Sequence, residues 1–122
     1  MTQCLVVDDS SVIRKVTRRI MEDLGFAITE AENGQEALER CQKDMPDVIM
    51  LDWNMPVMGA LEFLSALRLS TNSPKRPKIF YCTTENDVDD ITRALNHGAS
   101  EYILKPYDRA TLEAKMSGAG LI

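Results

Sequence analysis

The stretch VIMLDWNMP, residues 48 to 56, is an apolar run of strand length that ends in a carboxylate, Asp52, beside the chain's single tryptophan, Trp53. It lacks the two-residue alternation of a strand with one wet face. A run apolar at successive positions belongs to a strand covered on both faces, as in a parallel sheet with crossover helices on each side. A lone carboxylate at the end of such a strand is expensive to bury, so its position asks for a compensating charge.

Working outward, four more short apolar runs occur: QCLVV (3 to 7), FAITEA (26 to 31), KIFYC (78 to 82) and EYIL (101 to 104), with DVIML (47 to 51) between the second and the last two. Segments of helical period separate them. Val12, Ile13, Val16, Ile20 and Leu24 form one stripe, and Val88, Ile91 and Leu95 another. Gly25 and Gly98 are placed to end the first and fourth helices, Asn33-Gly34 turns the chain into the second, and Pro46 closes the gap before the third strand. Alternating strand and helix predicts a doubly wound α/β fold: one domain over residues 1–122, with a parallel five-stranded sheet and helices on both faces. The last helix is expected over Asp108 to Met116, with SGAGLI after it as a frayed or loosely docked end.

Composition narrows the function classes. A chain of 122 residues, 44% hydrophobic, holds about one core and no separate catalytic and binding domains. Its net charge of -5 opposes bulk attraction to nucleic acid, and the single basic cluster, PKRPK (74 to 78), reads as a solvated loop. Cys4, Cys41 and Cys82 are odd in number and widely spaced. No N-terminal apolar stretch has the length of a signal peptide or a membrane span. A reduced, cytoplasmic monomer, neither membrane-inserted nor bound to nucleic acid, is expected.

In open parallel sheets ligands bind beyond the carboxyl ends of the strands. There this sequence places Asp8 and Asp9, then Asp52 and Asn54, then Thr83 and Thr84, then Lys105-Pro106. Three crowded carboxylates repel unless a cation joins them. Oxygen donors without His or Cys nearby point to Mg2+ or Mn2+ rather than zinc, and magnesium accepts phosphate oxygens to complete its octahedron. Lys105 adds a point charge and Thr83 a hydroxyl donor, so the edge is suited to receive a phosphoryl group.

Taken together, VVDDS (6 to 10), VIMLDWNMPVMG (48 to 59), CTTEND (82 to 87) and HGASEYILKP (97 to 106) resemble the receiver domain of two-component response regulators, most closely the single-domain, CheY-like type. The resemblance covers essentially the whole chain. It implies the flavodoxin-like strand order 2-1-3-4-5 and a stand-alone response regulator. Asp52 would accept a phosphoryl group from a sensor histidine kinase or a histidine phosphotransfer protein. Asp9 and Asp52 would hold magnesium through carboxylates, Asp8 mostly through water, and Asn54 through its backbone carbonyl. Thr83 and Lys105 would hold the phosphoryl oxygens, with the Lys105-Pro106 bond cis. Thr83 and Tyr102 would act as the switch, reshaping the fourth helix, fifth strand and last helix for a downstream protein target, in chemotaxis or another pathway. Asn54 and Glu85 would tune the lifetime of the acyl phosphate.

Other readings compete with these. Asp8-Asp9 could cap a helix, Thr83-Thr84 likewise, Tyr102 could simply pack, Trp53 could cover the site's mouth or pack, and His97 suits a helix C-terminus. At the level of function the rivals are a phosphorelay shuttle or phosphate sink, a partner-binding scaffold without phosphorylation, a flavin carrier and a small magnesium-dependent phosphohydrolase. Two aspartates after the first strand disfavour the flavin carrier, and DWN lacks the second aspartate of a D-x-D phosphohydrolase. No metabolic turnover is expected, so the chain is not read as an enzyme. One departure from the family stands out: Gly59-Ala60 occupies the place of the usual Asp-Gly, which removes a helix-capping acid. Restoring Asp-Gly is expected to stabilise the fold.

Overall fold

The computed structural model of the chain describes residues 1–53, 55, 57–70, 76–84 and 88–122. Ten elements alternate: β1 (Gln3–Val7), α1 (Ser11–Asp23), β2 (Ala27–Ala31), α2 (Gly34–Lys43), β3 (Val48–Asp52), α3 (Ala60–Ser70), β4 (Lys78–Thr83), α4 (Val88–Asn96), β5 (Glu101–Leu104) and α5 (Arg109–Gly118). The strands form one parallel sheet in the order β2-β1-β3-β4-β5, as expected from the sequence.

Strand side chains point to opposite faces in turn, and here both faces are covered. Leu5, Val7, Ile49, Leu51, Ile79 and Tyr81 pack with Ala37 and Leu38 of α2, Phe63 and Leu64 of α3 and Ala94 of α4. Cys4, Val6, Met50, Phe80, Cys82 and Ile103 pack on the other side with Met21 of α1 and Leu112 and Met116 of α5. All five residues of β3 are buried, Asp52 included. The three cysteines are free and buried, and burial pushes the Cys41 and Cys82 thiols up to about 12.

The apolar stripe expected on α1 is only partly inward. Thr17 and Met21 are buried and Ile20 and Leu24 partly so, but Val12 is 70% and Val16 53% exposed. The cause is a polar seam at positions 14 and 17 that turns the helix. Arg14 Nη1 donates to the Asp8 carbonyl (2.6 Å) and Nε to Glu30 (3.1 Å), while the Thr17 hydroxyl meets the Tyr107 hydroxyl (2.6 Å). On α4, likewise, Ile91 and Ala94 are buried whereas Val88 and Leu95 are exposed.

Two other expectations change. The C-terminal segment is docked: α5 runs to Gly118, Leu121 N–H donates to the Met116 carbonyl (2.9 Å), and Leu121 packs on the core. At the departure from the family pattern, α3 starts at Ala60, and the Gly59 carbonyl accepts from Phe63 N–H (2.9 Å). Gly59 is therefore the cap, and Ala60 is a helical residue only 2% exposed. Glycine at 60 would cost up to about 1 kcal/mol, and Asp gains only a few tenths over Gly as a cap, so restoring both residues should not stabilise the fold.

Candidate functional site

Local chemistry fixes each side of the carboxyl edge of the sheet. Asp8 follows β1 and is held by Ser10 N–H, which donates to Asp8 Oδ1 (2.9 Å). The α1 cap is the Ser10 hydroxyl, accepting from Ile13 N–H (3.3 Å), so capping does not account for the acidic pair. Asp52 ends β3 at register with Cys82, and Trp53 N–H carries the ladder one step further to the Cys82 carbonyl (2.9 Å). Beyond β5, Lys105 N–H donates to the Thr83 carbonyl (2.8 Å), and the Lys105-Pro106 bond is cis.

These placements converge on one cluster. One carboxylate oxygen from each of Asp8, Asp9 and Asp52 lies within 4.8 Å of the others. Asp8 and Asp52 are buried and Asp9 is exposed. Lys105 Nζ donates to Asp52 Oδ1 at 2.6 Å and to Asp8 Oδ2 at 2.8 Å. The three acids supply only oxygen donors, and a compact trio of such oxygens fits a hard divalent cation. Magnesium would be held by these carboxylates.

The electrostatics follow from the crowding. Burial raises the Asp52 pKa above the usual carboxylate value; Asp8 and Asp9 push it the same way, and Lys105 opposes them. Burial works against the Lys105 ammonium, but its bonds to Asp52 and Asp8 outweigh that and hold its pKa above the ordinary lysine value. A buried acid with an elevated pKa beside a fixed cation is a group whose charge remains only partly compensated.

Thr83 ends β4, where its carbonyl accepts from Lys105 N–H, and is 0% exposed. Tyr102 lies on β5 opposite Tyr81, packs partly against the core, and carries the Lys115 ammonium 5.3 Å from its ring centroid. Trp53 is partly buried against the same core, and the His97 Nδ1 hydrogen meets the Arg93 carbonyl (2.7 Å) at the end of α4. Asn54 and Glu85 lie outside the described residues, as do Pro74 and Lys75 of the basic cluster.

Four supporting residues escape a reading of the sequence. Arg14 fixes the Asp8 backbone, Tyr107 ties the lysine loop to α1, Gly34 N–H meets the Met58 carbonyl (3.2 Å) in the loop after β3, and Tyr81 bonds to Asp90. A threonine on the buried side of the amphipathic helix α1, at position 17, is the one signal that hints at such a partner.

A family model for the response regulator receiver domain matches residues 4–117. Chemotaxis protein CheY1 of Helicobacter pylori is 36% identical over 114 residues, covering 92% of this chain and 91% of that protein. The structure of Vibrio cholerae chemotaxis protein CheY4 superposes with a TM-score of 0.89 at 35% identity, covering 97% and 98% of the two chains. The receiver domain of the Pseudomonas aeruginosa sensor histidine kinase PA1611, with a magnesium ion coordinated in its active site cleft, gives a TM-score of 0.85 at 25% identity over 96% and 95%.

Proposed function

The chain belongs to the response regulator receiver domain family, and from that premise we propose that it is a phosphorylation switch with Asp52 as its phosphoryl acceptor. The observation that carries this is the Lys105 ammonium bonded to Asp8 and Asp52 together at the sheet edge. An Asp52 oxygen attacks the phosphorus of a phosphohistidine on a kinase or phosphotransfer protein. The P–N bond breaks, the leaving imidazole takes up a proton, and an acyl phosphate remains on Asp52. Lys105 exchanges its bond to Asp52 for one to a phosphoryl oxygen, so the charge that leaves the acceptor is matched by one that arrives. Asp8, Asp9 and Asp52 would hold Mg2+, which supplies charge neutralisation for the phosphoryl oxygens.

Phosphorylation then favours one packing of the α4-β5-α5 surface through Thr83 and Tyr102, and that surface controls a protein partner. The kinship to chemotaxis proteins of V. cholerae and H. pylori supports a role in chemotaxis signalling. The chain performs no metabolic turnover; its chemistry is confined to gaining and losing one phosphoryl group. Purified chain incubated with acetyl phosphate should gain the mass of one phosphoryl group in Mg2+ and none in excess EDTA. No gain with Mg2+, or an equal gain without it, contradicts this function.

A further inference from the structure

Tyr81 is a buried polar residue that the phosphoryl chemistry does not use. It is 1% exposed in the middle of β4, and its hydroxyl donates to Asp90 Oδ2 in the first turn of α4 at 3.0 Å. Burial and the Asp90 carboxylate push its pKa up, so the hydroxyl stays a donor. In a strand, residues two apart share a face, as do residues at one register on adjacent strands. Tyr81 thus shares a face with Thr83, two positions on, and with Tyr102, its partner on β5. Tyr81, beside both switch positions, is tied to α4. Ile91 and Ala94 are the buried residues of that helix.

A recess of about 410 Å3 lies at the opposite edge of the sheet, with Arg68, Lys78 and His97 among its lining residues. Arg68 stands in the last turn of α3, where its charge complements the helix dipole without a ligand, and His97 Nδ1 bonds to the Arg93 carbonyl at the end of α4.

We infer that the Tyr81–Asp90 hydrogen bond is a latch that holds α4 in its unphosphorylated position and sets how readily the Thr83–Tyr102 switch turns. This rests on the phosphorylation switch proposed above. A ligand shifts a two-state equilibrium only by its differential affinity, so phosphorylation must overcome whatever favours the resting packing. A bond made only in the resting state raises that requirement; removing it lowers the donor concentration at which the switch turns.

Two measurements on Tyr81→Phe and Asp90→Ala test the latch. First, in the unphosphorylated proteins, amides of Val88–Asn96 should exchange with solvent about tenfold faster than in wild type, while those of β3 stay unchanged. Unaltered exchange in α4, or equal acceleration in β3, overturns the latch whatever the fate of phosphorylation. Second, the acetyl phosphate concentration giving half-maximal mass gain in Mg2+ should fall about tenfold in both variants. A wild type that gains mass beside variants that half-saturate at the same or a higher concentration overturns the latch and leaves the acceptor reading intact. Failure of wild type to gain mass refutes the acceptor reading itself, and with it the latch's role in switching.

Discussion

Two loops flank Asp52, and they are built differently. The loop after β5 is fixed on several sides: Lys105 N–H to Thr83, Tyr107 to the buried Thr17, and Asp108 capping α5 by accepting from Thr111 N–H (2.8 Å). The loop after β3 has no side-chain cap at Gly59, and Val57 sits at φ 68, a left-handed conformation that strains a β-branched residue. Among its described residues Trp53 and Met55 pack on the core, and the Met58 carbonyl meets Gly34 N–H. The lysine is thus delivered on a pre-formed support, while the loop that follows Asp52 carries strain. Proteins tolerate strain at sites where the surroundings fix the geometry, and it concentrates where structure must respond to a ligand.

The contrast is tested most severely at Gly34. A Cβ there would lie 2.5 Å from the Met58 carbonyl oxygen, so Gly34→Ala should destabilise the protein by about 2 kcal/mol and shift Trp53 emission. A variant as stable as wild type would mean that Met58 does not anchor the loop. On the fixed side, Tyr107→Phe leaves the Thr17 hydroxyl buried without its partner and should cost about 1.5 kcal/mol in denaturant unfolding. Relief should be seen on the strained side: Val57→Asn, a residue that tolerates positive φ, should stabilise by about 1 kcal/mol. No gain from Val57→Asn would make the two loops equivalent.

The acid pair adds a pH-dependent prediction. The raised Asp52 pKa means that the folded chain binds this proton more tightly than the unfolded chain, so ionised Asp52 lowers stability above its folded pKa. In the absence of divalent cations Asp52→Asn should be more stable than wild type at pH 7 by about 1 kcal/mol. The gain should shrink as the pH falls through the folded Asp52 pKa and wild type takes up the proton. A lower thermal midpoint for Asp52→Asn at pH 7 would show that the Lys105 bond outweighs desolvation. Gly59→Asp should give the smallest effect, a stabilisation of about 0.3 kcal/mol in thermal melts.

What the sequence discloses divides along the same line. The run at 48 to 52 and its counterparts establish the sheet, because continuous apolarity in a strand has one common explanation, burial on both faces. The acids and Lys105 are legible because they follow those runs directly, where the sheet's geometry brings sequence-distant residues together. The exposed positions on α1 are not legible. Val12 and Val16 share a helical stripe with buried residues, and only the bonds from Arg14 and Thr17 to distant partners decide which way the helix turns. Tyr81–Asp90 is hidden for the same reason: a tyrosine in a strand reads as packing until the helix above it is placed.

The proposed switch requires that the carboxylate at the end of β3, rather than another nucleophile, take the phosphoryl group. Intact mass after incubation with acetyl phosphate and Mg2+ tests it directly when wild type and Asp52→Asn are compared. Wild type should gain one phosphoryl group and Asp52→Asn none; an equal gain in both would place the phosphoryl group on another residue.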